Sequence, residues 1–115
     1  MKLNDKQFED AYTAAGAWFV VKYIDEVKKN IEKFNNTTYK NKFIEDIFNN
    51  GNGPDSKLSG TRTRVNSIIR IVKSDCINEA LKKAINSNRL KNEIRETAKN
   101  KLNKVTFLTS ENDIN

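Results

Sequence analysis

The chain has 115 residues, of which 37% are hydrophobic and 31% charged, and its net charge at neutral pH is +6. This length predicts one domain, and the high charged fraction excludes an integral membrane protein. Histidine is absent and Cys76 is the only cysteine. A disulfide framework, a His/Cys zinc site and histidine-dependent acid–base chemistry are therefore excluded, and no cofactor is predicted.

A long helix is predicted for residues 5–34. Apolar residues recur there every three or four positions, which is the spacing of one helix face. Asn4 or Asp5 is placed to cap the first turn. At 1.5 Å per residue this helix would extend about 45 Å, so a break near Gly16 is the alternative to one continuous rod.

Residues 14–21 are apolar on every side of this helix. Such a segment needs cover on several sides. Two interpretations stay open: a central core helix, or a core helix that also makes a homodimer contact. In the second, the small residues Ala14, Gly16 and Ala17 would allow another helix to approach closely.

A turn and a short helix are predicted next, with Thr37 or Thr38 placed to cap the helix and an apolar stripe from Tyr39 to Phe48. Residues 49–60 contain three of the four glycines and the only proline. They predict a loop of about a dozen residues.

Two helices joined by a tight turn are predicted for residues 61–85. The first runs from about residue 61 to 73, and Ser74 and Asp75 are placed to cap the second. The short connection predicts a helical hairpin or a helix-turn-helix-like pair.

The last predicted helix spans residues 89–104 and is followed by a polar tail, residues 106–115. Residues 105–109 form the single candidate strand. The whole pattern predicts an all-α domain of about five helices over residues 1–105. Its parts are an aromatic core half at 1–48, a loop at 49–60 and a basic half at 61–105.

Charge is concentrated in that basic half. Residues 61–105 carry twelve basic and four acidic side chains, a net charge of +8. Residues 1–34 and 35–60 are each neutral, and all five arginines lie within 61–105. Because arginine suits planar recognition of phosphate and bases, this segregation favours a polyanion-binding surface over a generic lysine-rich one.

The helix at 61–73 is the main candidate site. Arg62, Asn66, Arg70 and Lys73 recur every three or four residues on the side opposite its apolar stripe. Arginine pairs with guanine, asparagine with adenine, and lysine with phosphate. The alternatives are an ordinary polar surface or a protein contact. Further backbone contacts are predicted for five more residues, namely Lys82, Lys83, Lys91, Arg89 and Arg95.

The start of the same helix predicts an anion site. Thr61, Arg62 and Arg64 place hydroxyl and guanidinium groups beside a helix N-terminus, where arginine opposes the helix dipole. A phosphate or an acidic side chain seated there would relieve that conflict.

Catalytic motifs are weak. Residues 54–57 are similar to a fragment of the restriction-nuclease motif, but that motif needs strands, so a turn is predicted and the chain is expected not to be an enzyme. The glycines do not have P-loop spacing. Cys76 has no histidine partner and is interpreted as a packing residue.

The leading hypothesis is a nucleic-acid-binding module, with DNA favoured over RNA, acting as a regulator or as a helical subunit of a nucleoprotein complex. The alternative is an inhibitor or accessory factor whose basic face docks on an acidic protein surface. The 16 lysines and 17 asparagines suggest an AT-rich genome, such as that of a low-GC bacterium, its phage or a mobile element. A polar N-terminus without signal-peptide features predicts a cytoplasmic location.

Overall fold

Helices account for nearly all of the regular structure. The computed structural model describes residues 3–51 and 54–114, with side chains described as far as Lys104. These ranges contain six α-helices and no strand: α1 (Asp5–Ala15), α2 (Ala17–Lys29), α3 (Thr37–Asn49), α4 (Leu58–Lys73), α5 (Ile77–Ile85) and α6 (Asn92–Ile114). A 3-10 helix, Ile31–Asn35, joins α2 to α3. The predicted all-α class is confirmed.

The predicted long N-terminal helix is divided at Gly16. Gly16 has a φ of +85°, a conformation that residues with a Cβ rarely adopt. Its N–H still donates to the Tyr12 carbonyl, 2.9 Å away, and its own carbonyl accepts from Val20 at 3.0 Å. One continuous rod is therefore wrong, and the break turns the chain from α1 into α2.

Asparagines cap the first helices. In α1 the side-chain Oδ1 of Asn4 accepts from the Gln7 N–H at 2.8 Å, and the Gln7 side chain accepts from the Asn4 N–H at 3.0 Å. In α3 the cap is Asn36, whose side chain accepts from the Tyr39 N–H at 3.0 Å. The prediction of a threonine cap was wrong, because α3 begins at Thr37, directly after this asparagine.

The hydrophobic core is built around α2, which packs against α1, α4, α5 and α6. Phe19, Val20, Ile24 and Val27 of this helix are fully or almost fully buried. In the 3-10 helix, the Phe34 ring packs edge-on against two aromatic rings of α3. The burial of α2 fits the interpretation of residues 14–21 as part of a central core helix. No helix of the described ranges is both long enough and apolar enough to span a membrane.

The fourth helix begins at Leu58, so the predicted loop ends earlier than residue 60; residues 52 and 53 lie outside the described residues. α4 packs against α1, α2 and α3. Because α4 is covered on several sides, Val65, Ile68 and Ile71 are all fully buried. One face of α4 is left for solvent.

The turn after α4 closes that helix and does not cap the next one. Asp75 has a φ of +58°, the Cys76 N–H donates to the Ile71 carbonyl at 3.0 Å, and the Asp75 N–H donates to the Val72 carbonyl at 3.1 Å. α5 starts without a side-chain cap. The prediction that Ser74 and Asp75 cap α5 was therefore wrong.

The C-terminal helices pair with each other. α5 packs mainly against α6 and only slightly against α4. α6 begins at Asn92, later than predicted, and its backbone stays helical to Ile114. The candidate strand at 105–109 is therefore helical, and so is the predicted polar tail as far as Ile114.

Candidate nucleic-acid and anion interface

One polar row runs along the uncovered side of α4. Asn66, Arg70 and Lys73 are exposed, and Arg62 is half-buried at the same side. Val65, Ile68 and Ile69 point the other way into the core. We call Arg62, Asn66, Arg70 and Lys73 the α4 face. Because the opposite side of α4 is fixed by three other helices, these four side chains project from a rigid support.

Among the described side chains, the arginines of the α4 face have no carboxylate partner. Neither Arg62 nor Arg70 forms an ion pair with any side chain of residues 3–51 and 54–104. Lys73 donates to the Asn35 side-chain oxygen at 2.8 Å, which ties the end of α4 to the 3-10 helix without neutralising the charge. The α4 face therefore keeps three uncompensated positive charges.

An acidic side chain occupies the start of α4. The Arg64 Nε donates to both carboxylate oxygens of Asp55, at 3.0 and 3.1 Å, and the Thr61 hydroxyl donates to the same carboxylate at 3.2 Å. The Arg64 Nη1 donates to the Ala15 carbonyl at 2.7 Å. The sequence predicted either a phosphate or an acidic side chain at this position, and the structure has an acidic side chain of the same chain, Asp55.

This arrangement, the Asp55 cluster, removes two residues from the predicted contact surface. Thr61 is fully buried, and the Arg64 side chain is only 25% exposed. α4 begins before Thr61, so neither residue lies at the free N–H groups of the helix end. From the sequence, Asp55 was predicted to be part of a turn. Asp55 lies six residues before Thr61 and nine before Arg64, and no local sequence motif has this spacing, so the contact could not be predicted.

The other predicted basic residues are spread over different sides. Lys83 of α5 pairs with Glu9 of α1, and the Arg95 guanidinium donates to Asn92. Lys82, Arg89 and Lys91 are exposed, with Arg89 and Lys91 in the connection between α5 and α6. Since α6 packs on α5 and α2, it does not extend the α4 face directly.

A cavity of about 600 Å³ lies beside the break between α1 and α2. Gly16, Trp18 and Phe19 line one side, and Leu90 lines it from the α5–α6 connection. Arg64, Lys83 and Arg89 also line it, and no carboxylate does among the described residues. The fold thus gathers three basic residues that sequence spacing placed far apart.

The residues suggested for a dimer contact have different surroundings. Ala14 is exposed, while Gly16 and Ala17 are half-buried and line the cavity. A Cβ added to Gly16 would collide with the Arg64 Nη1. The close approach that Gly16 permits is therefore to a side chain of its own chain, and a homodimer contact stays a prediction.

No group of three or more metal-ligating side chains is found among the side chains of residues 3–51 and 54–104. Asp55 is engaged by Arg64 and Thr61. Cys76 is 4% exposed and its thiol donates to the Ser74 carbonyl at 3.4 Å, which fits a packing role.

Two buried tyrosines have raised pKa values. Burial, with a smaller contribution from the negative charge of Glu9, raises the pKa of Tyr12 to about 12. Burial and then Glu26 raise the pKa of Tyr23. Neither hydroxyl has a hydrogen-bond partner among the described residues. The Tyr12 ring lines the cavity, and the Lys83 ammonium lies 5.4 Å from its centroid.

The chain matches no protein-family model, no curated protein and no solved structure.

Proposed function

We propose that this protein is a non-enzymatic nucleic-acid-binding module whose contact surface is the α4 face. The observation that carries the proposal is the pair Arg62 and Arg70, which are held on one side of a supported helix without any described carboxylate partner. An unpaired guanidinium at a rigid position keeps its full capacity to bind phosphate or guanine.

The dimensions of the α4 face suit a nucleic-acid groove. Eleven residues separate Arg62 from Lys73, so the row extends about 16 Å along the helix axis. The major groove of B-DNA is about 12 Å wide and admits an α-helix, whereas the major groove of A-form RNA is deep and narrow. We therefore propose duplex DNA as the preferred polymer, with the protein acting as a regulator or as a subunit of a nucleoprotein complex.

Fluorescence anisotropy tests this proposal with labelled duplex DNA, single-stranded DNA and RNA at about 50 and 200 mM salt. The Arg62→Ala/Arg70→Ala variant should lose about tenfold or more in affinity for duplex DNA. The slope of log K against log salt should fall by about two, because each lost phosphate contact removes close to one released counterion.

A charge-matched control separates the α4 face from bulk charge. Lys6→Ala/Lys104→Ala removes the same two positive charges, from +6 to +4, at exposed residues of α1 and α6. It should keep most of the affinity, and circular dichroism should show both variants fully helical. Equal losses in the two variants would refute the α4 face as the site. Failure of the unaltered protein to bind any polymer at low salt would shift the proposal to an acidic protein surface.

A further inference from the structure

The cavity beside Gly16 has the chemistry of a small-ligand site. Its volume of about 600 Å³ lies within the range of roughly 300–1,000 Å³ that is usual for small-molecule pockets. It is formed where several segments meet: the α1–α2 break, the segment before α4, the second turn of α4, and α5 with the connection that follows it. None of these segments makes such a surface alone.

Part of the cavity lining is aromatic and apolar. Trp18 and Phe19 follow the break directly, and Leu90 comes from the connection between α5 and α6. Trp18 and Leu90 are half-buried, so each keeps part of its surface available. The Lys22 ammonium lies over the Trp18 ring, 4.8 Å from its centroid. The other face of the indole can stack on a planar heterocycle, and every nucleobase has such a face.

The cavity lining also contains three positively charged groups, two of which are held by other residues of the chain. Arg64 is held in place by Asp55 and the Ala15 carbonyl through Nε and Nη1, while its Nη2 makes no hydrogen bond to the described residues. Lys83 uses one donor for Glu9. Arg89 is exposed and has no ion-pair partner in the described ranges. A guanidinium already immobilised by its own chain loses little further conformational entropy when an anion binds.

We propose that this cavity binds a nucleoside phosphate, with the base against Trp18 and the phosphate held by Arg64, Lys83 and Arg89. Aromatic surface and phosphate donors in the lining of one cavity fit a ligand that joins a planar ring to an anion. The same chemistry can come from a free mononucleotide or from an unpaired nucleotide within a strand. The site is distinct from the α4 face, because Arg64 points toward Gly16 while Arg62 and Arg70 lie on the uncovered side.

Trp18 is the only tryptophan and therefore reports on its own cavity. Titration of the full chain with AMP, GMP, CMP and UMP should change its fluorescence in a saturable manner, and calorimetry should give the same Kd. Adenosine, which lacks the phosphate, should bind at least about tenfold more weakly than AMP, since it loses the charge-assisted hydrogen bonds. Inorganic phosphate alone should bind more weakly than AMP, because it cannot stack on Trp18.

Substitutions of cavity residues test which side chains contact the bound nucleotide. Arg89→Ala alters an exposed residue and should weaken AMP binding by about tenfold, with Arg89→Lys recovering part of the loss. Lys6→Ala removes the same charge from an exposed position of α1 and should leave AMP binding unchanged. Calorimetry should show that Trp18→Leu also weakens AMP binding.

The two sources are separated by comparing AMP with a single-stranded oligonucleotide and with a fully paired hairpin duplex without free ends. The cavity is supported if AMP binds and if the single strand, but not the hairpin, quenches Trp18 fluorescence. The Kd of AMP is then compared with the Kd of the single strand, and the lower of the two identifies the preferred source of the nucleotide. No fluorescence change and no heat with AMP or with the single strand would overturn the proposal, as would equal affinities for AMP and adenosine. The α4 face is tested independently by duplex DNA binding, which Arg62→Ala/Arg70→Ala should abolish and the cavity variants should keep.

Discussion

Removal of the Asp55 carboxylate should destabilise the fold by about 2–3 kcal/mol, far more than the loss of an exposed ion pair. In Asp55→Ala, Arg64 loses a charge-assisted contact through Nε, and such hydrogen bonds contribute about 1.5–3 kcal/mol. The Asp55 and Arg64 side chains are 13% and 25% exposed, so water compensates only part of this loss. Asp55 also fixes the segment before α4 to the end of α1 through Arg64 and the Ala15 carbonyl.

The Thr61 hydroxyl adds less than its complete burial suggests. A buried hydroxyl without a partner costs about 1–3 kcal/mol. A helical threonine can, however, turn its hydroxyl to the carbonyl four residues earlier, as Thr63 does toward Ser59 in the same helix at 3.1 Å. We therefore place the contribution of Thr61 at the lower end, about 1 kcal/mol.

Urea unfolding followed by circular dichroism measures the effect, with a double-mutant cycle of Asp55→Ala and Arg64→Ala to isolate the pair. The coupling free energy should be about 1–2 kcal/mol. Asp46→Ala is the matched control, because Asp46 pairs with Lys42 at 3.6 Å while their side chains are 57% and 76% exposed. The control should change the free energy of unfolding by less than about 0.5 kcal/mol. Equal effects for Asp55→Ala and Asp46→Ala would refute the assignment of the Asp55 cluster as a stabilising element.

Two further predictions concern the break between α1 and α2 and the buried Tyr12. Gly16→Ala should destabilise by about 2 kcal/mol or more in urea unfolding, because the new Cβ meets Arg64 at a φ of +85°. Gly51→Ala has open space at a φ of +65° and should show only the backbone effect, about 1 kcal/mol, so equal values would contradict the role of Arg64. Tyr12→Phe should be neutral or stabilising at neutral pH, since the hydroxyl has no partner in the described residues. Burial raises the pKa of Tyr12 from its ordinary value of 10.0 to about 12, so the folded chain retains this proton at a pH where the unfolded chain has lost it. The free energy of unfolding should therefore fall as pH rises from 10 to 12. Unfolding between those pH values should show a smaller decline in Tyr12→Phe than in the unaltered chain, and identical declines would contradict burial of this hydroxyl.

The sequence by itself determined the helical class, the main apolar faces and the polar row of α4. These features depend on residues three or four positions apart, which periodicity displays directly: Val65 and Ile68 are buried while Asn66 and Arg70 are exposed. Gly16 also marked the break, because its φ is a local property of glycine. The residue that caps α3 was harder to predict. Asn36 and the two threonines after it can all cap a helix, and only the position where α3 begins decides among them.

Only the tertiary structure decided which charges are free. Arg62 and Arg64 are two residues apart and indistinguishable by composition, yet one lies on the uncovered side of α4 and the other is held by Asp55 and the Ala15 carbonyl. Lys83 likewise pairs with Glu9, which lies 74 residues away in the sequence. Such contacts depend on how whole helices pack, and hydrophobic burial fixes that packing without reference to charge. The cavity beside Gly16 arises in the same way, from side chains that are separate in sequence and adjacent only in the fold.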